Sequence, residues 1–300
     1  MSLREAVAAL VSDGDLVAIE GFGHLVPVAA AHEIIRQGRS DLTLARMSCD
    51  VTVDQLIAAG CVSTLISSFV GNSSAGSLHE LRRRVEHDDP APLRLEEYSH
   101  GGMVARYTAG ASRLPFAAIN SYRGSDLPTL NPEIRTVTDP YGSGDIYVVP
   151  ALRPDVSIIH AQRADEHGNV QAWGILGIQT EAAFAADRVI VTVEEIVDDD
   201  VIRSDPNRTI IPAHAVTAVV ECPWGAFPHA VQGYYDRDDA FARRWSELAR
   251  NPHEMHVWLD ANIRGTSDFD AHLELVGHPR DGRLNVTEAF PSPVNYGGRR

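Results

Sequence analysis

Short apolar runs of strand length alternate with amphipathic stretches of helix length through most of the chain. The runs that predict strands are Leu16–Ile19, Leu42–Arg46, Thr64–Phe69, Leu93–Glu97, Val156–His160, Val189–Val193 and Ala215–Val220. Between them, Val28–Gln37, Val53–Ala59, Ser77–Val85, Val104–Ala111 and Gln179–Ala186 read as helices. Leu3–Val11 is a further helix, with Ser2 as N-cap and Glu5 three residues on, the spacing of a capping box. Strands separated by helices predict an α/β fold, an open, mostly parallel sheet with helices on both faces. The pattern breaks between Leu114 and Val149, where Pro115, Pro128, Pro132 and Pro140, with Gly124, Gly142 and Gly144, predict a long irregular excursion. After Tyr235 it turns helical, over Asp238–Arg250, His253–Ile263 and Asp268–Leu275. The expected organisation is an α/β domain over 1–235, a C-terminal helical cap over 236–276 and a polar tail over 277–300.

Composition narrows the function. Three hundred residues with 44% hydrophobic content suit one large α/β domain plus an appendage. Apolar runs such as Val189–Val193 are far too short to cross a bilayer, and Glu5 interrupts any export signal, so a cytoplasmic protein with no membrane association is expected. Cys49, Cys61 and Cys222 are odd in number and widely spaced, as reduced thiols would be. A net charge of −15 argues against nucleic acid as a partner. All 26 basic residues are arginine, which excludes a pyridoxal Schiff base and a P-loop lysine. Bound phosphate or carboxylate would have to be held by arginine, backbone N–H groups or small polar side chains.

Candidate chemistry gathers at strand ends. Gly14-Asp15-Leu16-Val17-Ala18-Ile19-Glu20-Gly21-Phe22-Gly23-His24-Leu25-Val26-Pro27 reads as a turn, a buried strand, a two-glycine loop and a proline at a helix start. Gly21 and Gly23 permit positive φ and bring bare N–H groups close to a ligand above the sheet. It is not the dinucleotide fingerprint, whose third glycine would fall at Val26. Ser67-Ser68-Phe69-Val70-Gly71-Asn72-Ser73-Ser74 is a second strand that ends in a small-residue loop. Leu93-Arg94-Leu95-Glu96-Glu97-Tyr98-Ser99-His100-Gly101-Gly102 delivers two adjacent carboxylates to a third strand end, and their side chains face opposite sides. Asp165, Gly168 and Asn169 suit a tight turn. Asp198–Asp200 reads as a solvated acidic loop and His253/His256 lacks zinc-protease spacing, so no metal site is expected. Cys49 reads as a structural thiol, and no G-x-S-x-G nucleophile elbow occurs.

The Gly-Asp-strand-Gly-Phe-Gly-x-x-x-Pro segment resembles the first signature of the alpha subunits of family I CoA-transferases. The Phe-x-Gly-Asn loop at Phe69–Asn72, the Pro-Ala-Leu-x-x-Asp strand at Pro150–Asp155 and the Ala-Asp-x-x-Gly-Asn turn at Ala164–Asn169 are similar to glutaconate CoA-transferase-like alpha subunits. These segments span roughly residues 5 to 235 in order. The resemblance implies the CoA-transferase alpha-subunit fold, with Gly21, Phe22 and Gly23 against an acyl thioester. It further implies that Phe69, Gly71, Asn72, Ser73 and Tyr98 bind substrate. Coenzyme A thioester is then a substrate, with no permanently bound cofactor, and a carboxylic acid is its acceptor. The family's nucleophilic glutamate lies in a Ser-Glu-Asn-Gly motif of the beta subunit, and no Glu-Asn pair occurs in this chain. The resemblance therefore implies half an enzyme, completed by a beta subunit in an α2β2 assembly. Relatives that hydrolyse or decarboxylate CoA esters, including those that open steroid rings, offer an alternative in which Glu97 is the catalytic general base. A non-catalytic sugar-phosphate sensor on the same scaffold is a third reading, disfavoured by the acidic charge.

Overall fold

The computed structural model describes residues 1–72, 76–142 and 144–277. Its first half runs α1 (Leu3–Leu10), β1 (Leu16–Glu20), α2 (Val28–Arg36), β2 (Leu42–Ser48), α3 (Val51–Ala58), β3 (Val62–Phe69), α4 (His79–Glu86), β4 (Arg94–Glu97) and α5 (His100–Ala111). There follow β5 (Phe116–Ile119), α6 (Leu127–Leu130), β6 (Arg135–Thr138), β7 (Asp145–Pro150), β8 (Val156–Ala164), β9 (Val170–Gln171) and α7 (Gln179–Ala185). The chain then forms β10 (Arg188–Ile196), α8 (Asp199–Ser204), β11 (Thr209–Ile211), β12 (Ala218–Glu221), α9 (Asp239–Leu248), α10 (Pro252–Leu259) and α11 (Phe269–Leu275).

Among the described residues, seven strands pair in parallel in the order β12-β10-β8-β1-β2-β3-β4. β9 and β11 extend the sheet antiparallel beyond the end of β8. The mostly parallel open sheet is the expected one. Sequence order reverses between β1 and β8: from β1 the chain builds outward to β4, and from β8 it builds the other way to β12. A crevice opens at such a switch point above the carboxyl ends of the strands. The central strands are apolar on both faces, as a doubly covered sheet requires, and Val17, Ile19, Val156, Ile158 and Ile190 are buried.

The capping box at Ser2 and Glu5 is formed, with both reciprocal bonds made. Pro27 sits one place before the first turn of α2, as its N-cap. Asp165 Oδ1 accepts from the N–H groups of His167 (3.1 Å) and Asn169 (2.8 Å), and Gly168 takes φ +100°, which makes the tight turn.

The proline-rich segment departs from expectation. Instead of an irregular excursion, it folds into a second, antiparallel sheet in the order β5-β7-β6. Its strands are short and β6 is exposed along its length, so they lack the apolar runs that betray buried strands. The prolines lie outside the strands, apart from Pro150 at the end of β7. The C-terminal helices share the main core: Trp245, Met255, Leu259, Ile263 and Phe269 belong to one apolar cluster with Ile34 of α2 and Leu56 of α3. Of the polar tail, only Gly277 lies within the described residues. No helix among the described residues is long and apolar enough to cross a membrane.

Candidate active site

A cavity of about 360 Å³ opens where β1, β2 and β3 end, beside the switch point. Phe22 and Gly23 follow β1, Ser48–Val51 join β2 to α3, Phe69 and Asn72 follow β3, and His100 begins α5. Ile175, Pro228, His229 and Arg237–Asp239 come from beyond β8 and close the opposite wall, with Ala242 of α9. The two halves of the sheet thus meet across it.

The two glycines of the first loop differ in purpose. Gly23 takes φ +64°, the left-handed conformation that favours glycine. Gly21 does not; its need is space. A Cβ there would stand 2.6 Å from the carbonyl oxygen of Leu25 and 2.9 Å from that of His24. The expectation of positive φ at both positions holds only for Gly23. Phe22 N–H donates to His24 O (3.1 Å), whereas Gly23 N–H makes no hydrogen bond among the described residues. Leu25 also has positive φ, +54°, and is held there by its N–H bond to Ala230 O (3.0 Å).

His24 pins this loop. Its Nδ1 donates to Ile175 O (3.1 Å) and its Nε2 accepts from Gln232 N–H (2.9 Å), which fixes one neutral tautomer. Burial depresses its pKa to about 4. The imidazole ties the Gly-Phe-Gly loop to the two segments that form the facing wall. A network one layer deeper holds the second of them. Glu194 accepts from His160 Nε2 (2.8 Å), Tyr235 Oη (2.7 Å) and Trp224 N–H (2.7 Å), anchoring the turn that leads to Pro228 and His229. Trp224 packs in this turn, stacked on Tyr235 at 4.1 Å between ring centroids.

Beneath the floor lies a buried charged group. Arg46 is wholly buried and donates to Ile19 O and Ser48 O, both at 2.9 Å, and to the Asp50 carboxylate. Burial alone would raise the Asp50 pKa, but Arg46, His229 and the Thr52 bonds outweigh it and hold the carboxyl below its usual range. Asp50 also caps α3 through Thr52 N–H (2.9 Å). His229 stands 3.5 Å from Asp50; burial lowers its pKa against the pull of that carboxylate. Glu20, at the end of β1, accepts from Tyr107 Oη (2.8 Å) and Met47 N–H (3.1 Å). Burial pushes its carboxyl up to about 7, despite Arg46.

Of the residues singled out in the sequence, Phe22, Gly23, Phe69 and Asn72 line this cavity. Gly21 lies behind the loop, and Gly71 packs against the Phe69 ring, where a Cβ would meet Cζ at 3.2 Å. Ser73 lies outside the described residues. Tyr98 is buried under the Arg106 guanidinium, 4.2 Å from its ring centroid, and does not line the cavity. Glu97 is exposed and lines another cleft, of about 320 Å³, with Glu96, Asn131 and Glu133; the two hollows share no lining residue. Asn131 Nδ2 donates to the Glu97 carbonyl oxygen (2.9 Å). Cys49 does reach the cavity, but burial raises its pKa to about 12, which keeps it a thiol. Sequence reading missed Ser48, Asp50, His100, His229 and Arg237. The available signal was position: Ser48 and Asp50 follow a strand as Phe22 follows β1, whereas nothing local marks His229 or Arg237.

The family model described as coenzyme A transferase matches residues 1–222. The chain is 51% identical to the alpha-type subunit of 3-oxoadipate CoA-transferase from Pseudomonas knackmussii, over 90% of this chain and 95% of that one. It is 33% identical to the corresponding subunit of glutaconate CoA-transferase from Acidaminococcus fermentans, over 95% and 94%. The crystal structure of glutaconate coenzyme A-transferase from Acidaminococcus fermentans superposes with a TM-score of 0.90, at 31% identity, covering 98% of both chains.

Proposed function

The chain belongs to the coenzyme A transferase family, as an alpha-type subunit, and from that premise we propose that it serves a heteromeric enzyme moving CoA between carboxylic acids. In this reading the Gly21-Phe22-Gly23 loop faces the acyl thioester, and a beta-subunit glutamate attacks it. A dicarboxylic substrate of the 3-oxoadipate kind is the best-supported class, since the relative bearing that name is 51% identical to this chain.

One observation carries the reading. The cavity offers an unengaged backbone N–H at Gly23, yet each of its own carboxylates has another task. Asp50 is bound to Arg46 and caps α3, Asp238 caps α9 through Phe241 N–H (2.9 Å), and Asp239 pairs with Arg237 (2.7 Å). The site is suited to stabilise an oxyanion and has no carboxylate poised to attack. Exposed Phe22 and Phe69, with Ile175 on the facing wall, give the rim an apolar edge suited to a second subunit.

The chemistry follows in balanced steps. The beta-subunit glutamate attacks the thioester carbonyl carbon. Gly23 N–H donates to the oxyanion, and CoA thiolate leaves an acyl-glutamyl anhydride. The thiolate then attacks the glutamyl carbonyl, which releases the first acid and leaves an enzyme–CoA thioester. An acceptor carboxylate reverses the sequence, so that CoA departs on the new acyl group and the glutamate is regenerated. A cytoplasmic site fits the free thiols of Cys49, Cys61 and Cys222. The hydrolytic alternative, with Glu97 as base, draws no support from a carboxylate that lines a separate cleft.

The test is to assay CoA transfer to dicarboxylic acids by this chain alone and with its beta partner. Activity is expected only from the assembled pair. Full transfer by the isolated chain contradicts the proposal.

A further inference from the structure

We propose that Arg237 is the receptor for the distal carboxylate of a dicarboxylic acyl chain, an inference that rests on the transferase reading above. Arg237 stands in the loop that leads to α9, on the wall facing the Gly-Phe-Gly loop. Its Nε pairs with Asp239 Oδ1 at 2.7 Å, which fixes one edge of the guanidinium. The other edge is turned toward the thioester-facing loop: a Cβ on Gly23 would lie 3.7 Å from Arg237 Nη1. The side chain is 38% exposed, so it is neither sealed in the core nor loose in solvent. Its charge is felt in the cavity, where it helps to lower the His229 pKa.

Charge balance makes this arginine necessary. The other charged side chains described in the cavity lining are Asp50, Asp238 and Asp239, on a chain of net charge −15 that contains no lysine. A substrate carboxylate would be repelled at each of them. Arg46 cannot receive it, since that guanidinium is buried and already bound to two carbonyl oxygens and Asp50. Arg237 alone among the cavity-lining residues described presents guanidinium N–H donors, and a planar fork suits bidentate capture of a carboxylate. With the thioester carbonyl at Gly23 and the far carboxylate at Arg237, both ends of the acyl chain are held. An acyl chain with an uncharged end gains only the first contact.

The experiment compares glutarate with butyrate as acceptor acids, using the assembled wild-type enzyme and its R237Q and R237K variants. The readout is the ratio of kcat/KM for the two acids within each enzyme, so any loss of folded protein cancels. R237Q is expected to lower the glutarate preference by about 10- to 100-fold, the scale of a charge-assisted hydrogen-bonding contact. R237K, which keeps the charge and loses the fork, should fall between. An unchanged ratio overturns the inference. So does a raised KM for CoA with an unmoved ratio, which would assign Arg237 to the CoA phosphates. Wild-type transfer to neither acid would contradict the transferase reading itself, and this inference with it.

Discussion

Two strand ends in this molecule look alike in sequence and differ in everything that makes a site. β1 ends at Gly21-Phe22-Gly23, and β4 ends at Glu97 with Gly101-Gly102 beyond. Each feeds a helix, and each carries small residues that let the backbone come close. The first lies beside the switch point between β1 and β8, where loops from both halves of the sheet converge. The second lies on the edge strand, where only the segment around Asn131 faces it among the described residues. Buried Arg46, Asp50, His24 and Glu20 surround the first, and burial or pairing has moved the pKa of Asp50, His24 and Glu20. At the second, Glu97 is exposed and Glu96 pairs with Arg94 at 2.9 Å. Topological position, more than the local motif, decides which loop becomes a site.

The sharpest way to break this contrast is to fill the space at Gly21. In Gly21→Ala the new methyl would meet backbone carbonyls of His24 and Leu25, which cannot swing aside as a side chain would. The loop must move, and Gly23 N–H with it. The expected loss in kcat for the assembled enzyme is about 100-fold, the scale of a lost oxyanion donor. Activity within a few-fold of wild type would show that the loop does not stabilise the reaction.

A smaller effect should appear in the pH dependence of stability, with opposite signs at two positions. The Glu20 carboxyl is raised from 4.5 to about 7, so the stability it confers is complete below 4.5 and is lost as pH rises through 7. The His24 imidazole is lowered from 6.5 to about 4, so its contribution is complete above 6.5 and is lost as pH falls through 4. Urea midpoints across this range should show Glu20→Gln flattening the loss on the alkaline side, by on the order of 2–3 kcal/mol. His24→Gln should flatten the loss on the acid side. Unchanged slopes in both variants would mean that these groups titrate normally.

The smallest effect is predicted at the edge strand. Glu97→Gln should change CoA transfer by less than about twofold, as expected for an exposed residue that makes no contact with the cavity. Abolished activity would return Glu97 to the chemistry and favour the hydrolytic reading.

Much of the fold was legible because parallel strands buried on both faces announce themselves as apolar runs, as Val17–Ile19, Ile158–Ile159 and Val189–Val193 do. The second sheet was not, since β5 and β6 are four residues long and half or fully exposed. In the cavity, Phe22, Gly23, Phe69 and Asn72 were readable because glycine-rich loops at strand ends have local signatures. His229 and Arg237 were not, for they reach the site from more than 200 residues away along the chain and depend on packing that no short window contains. Glu97 illustrates the converse: a carboxylate at a strand end reads as a candidate anywhere in a sheet, and only the strand order reveals that β4 is the edge.

The most direct test of the central claim, that this chain orients the thioester while another supplies the nucleophile, is intact-mass analysis of both subunits once the assembled enzyme has met acyl-CoA without an acceptor. The account predicts a CoA adduct on the beta partner and none on this chain. A CoA adduct on this chain would contradict it.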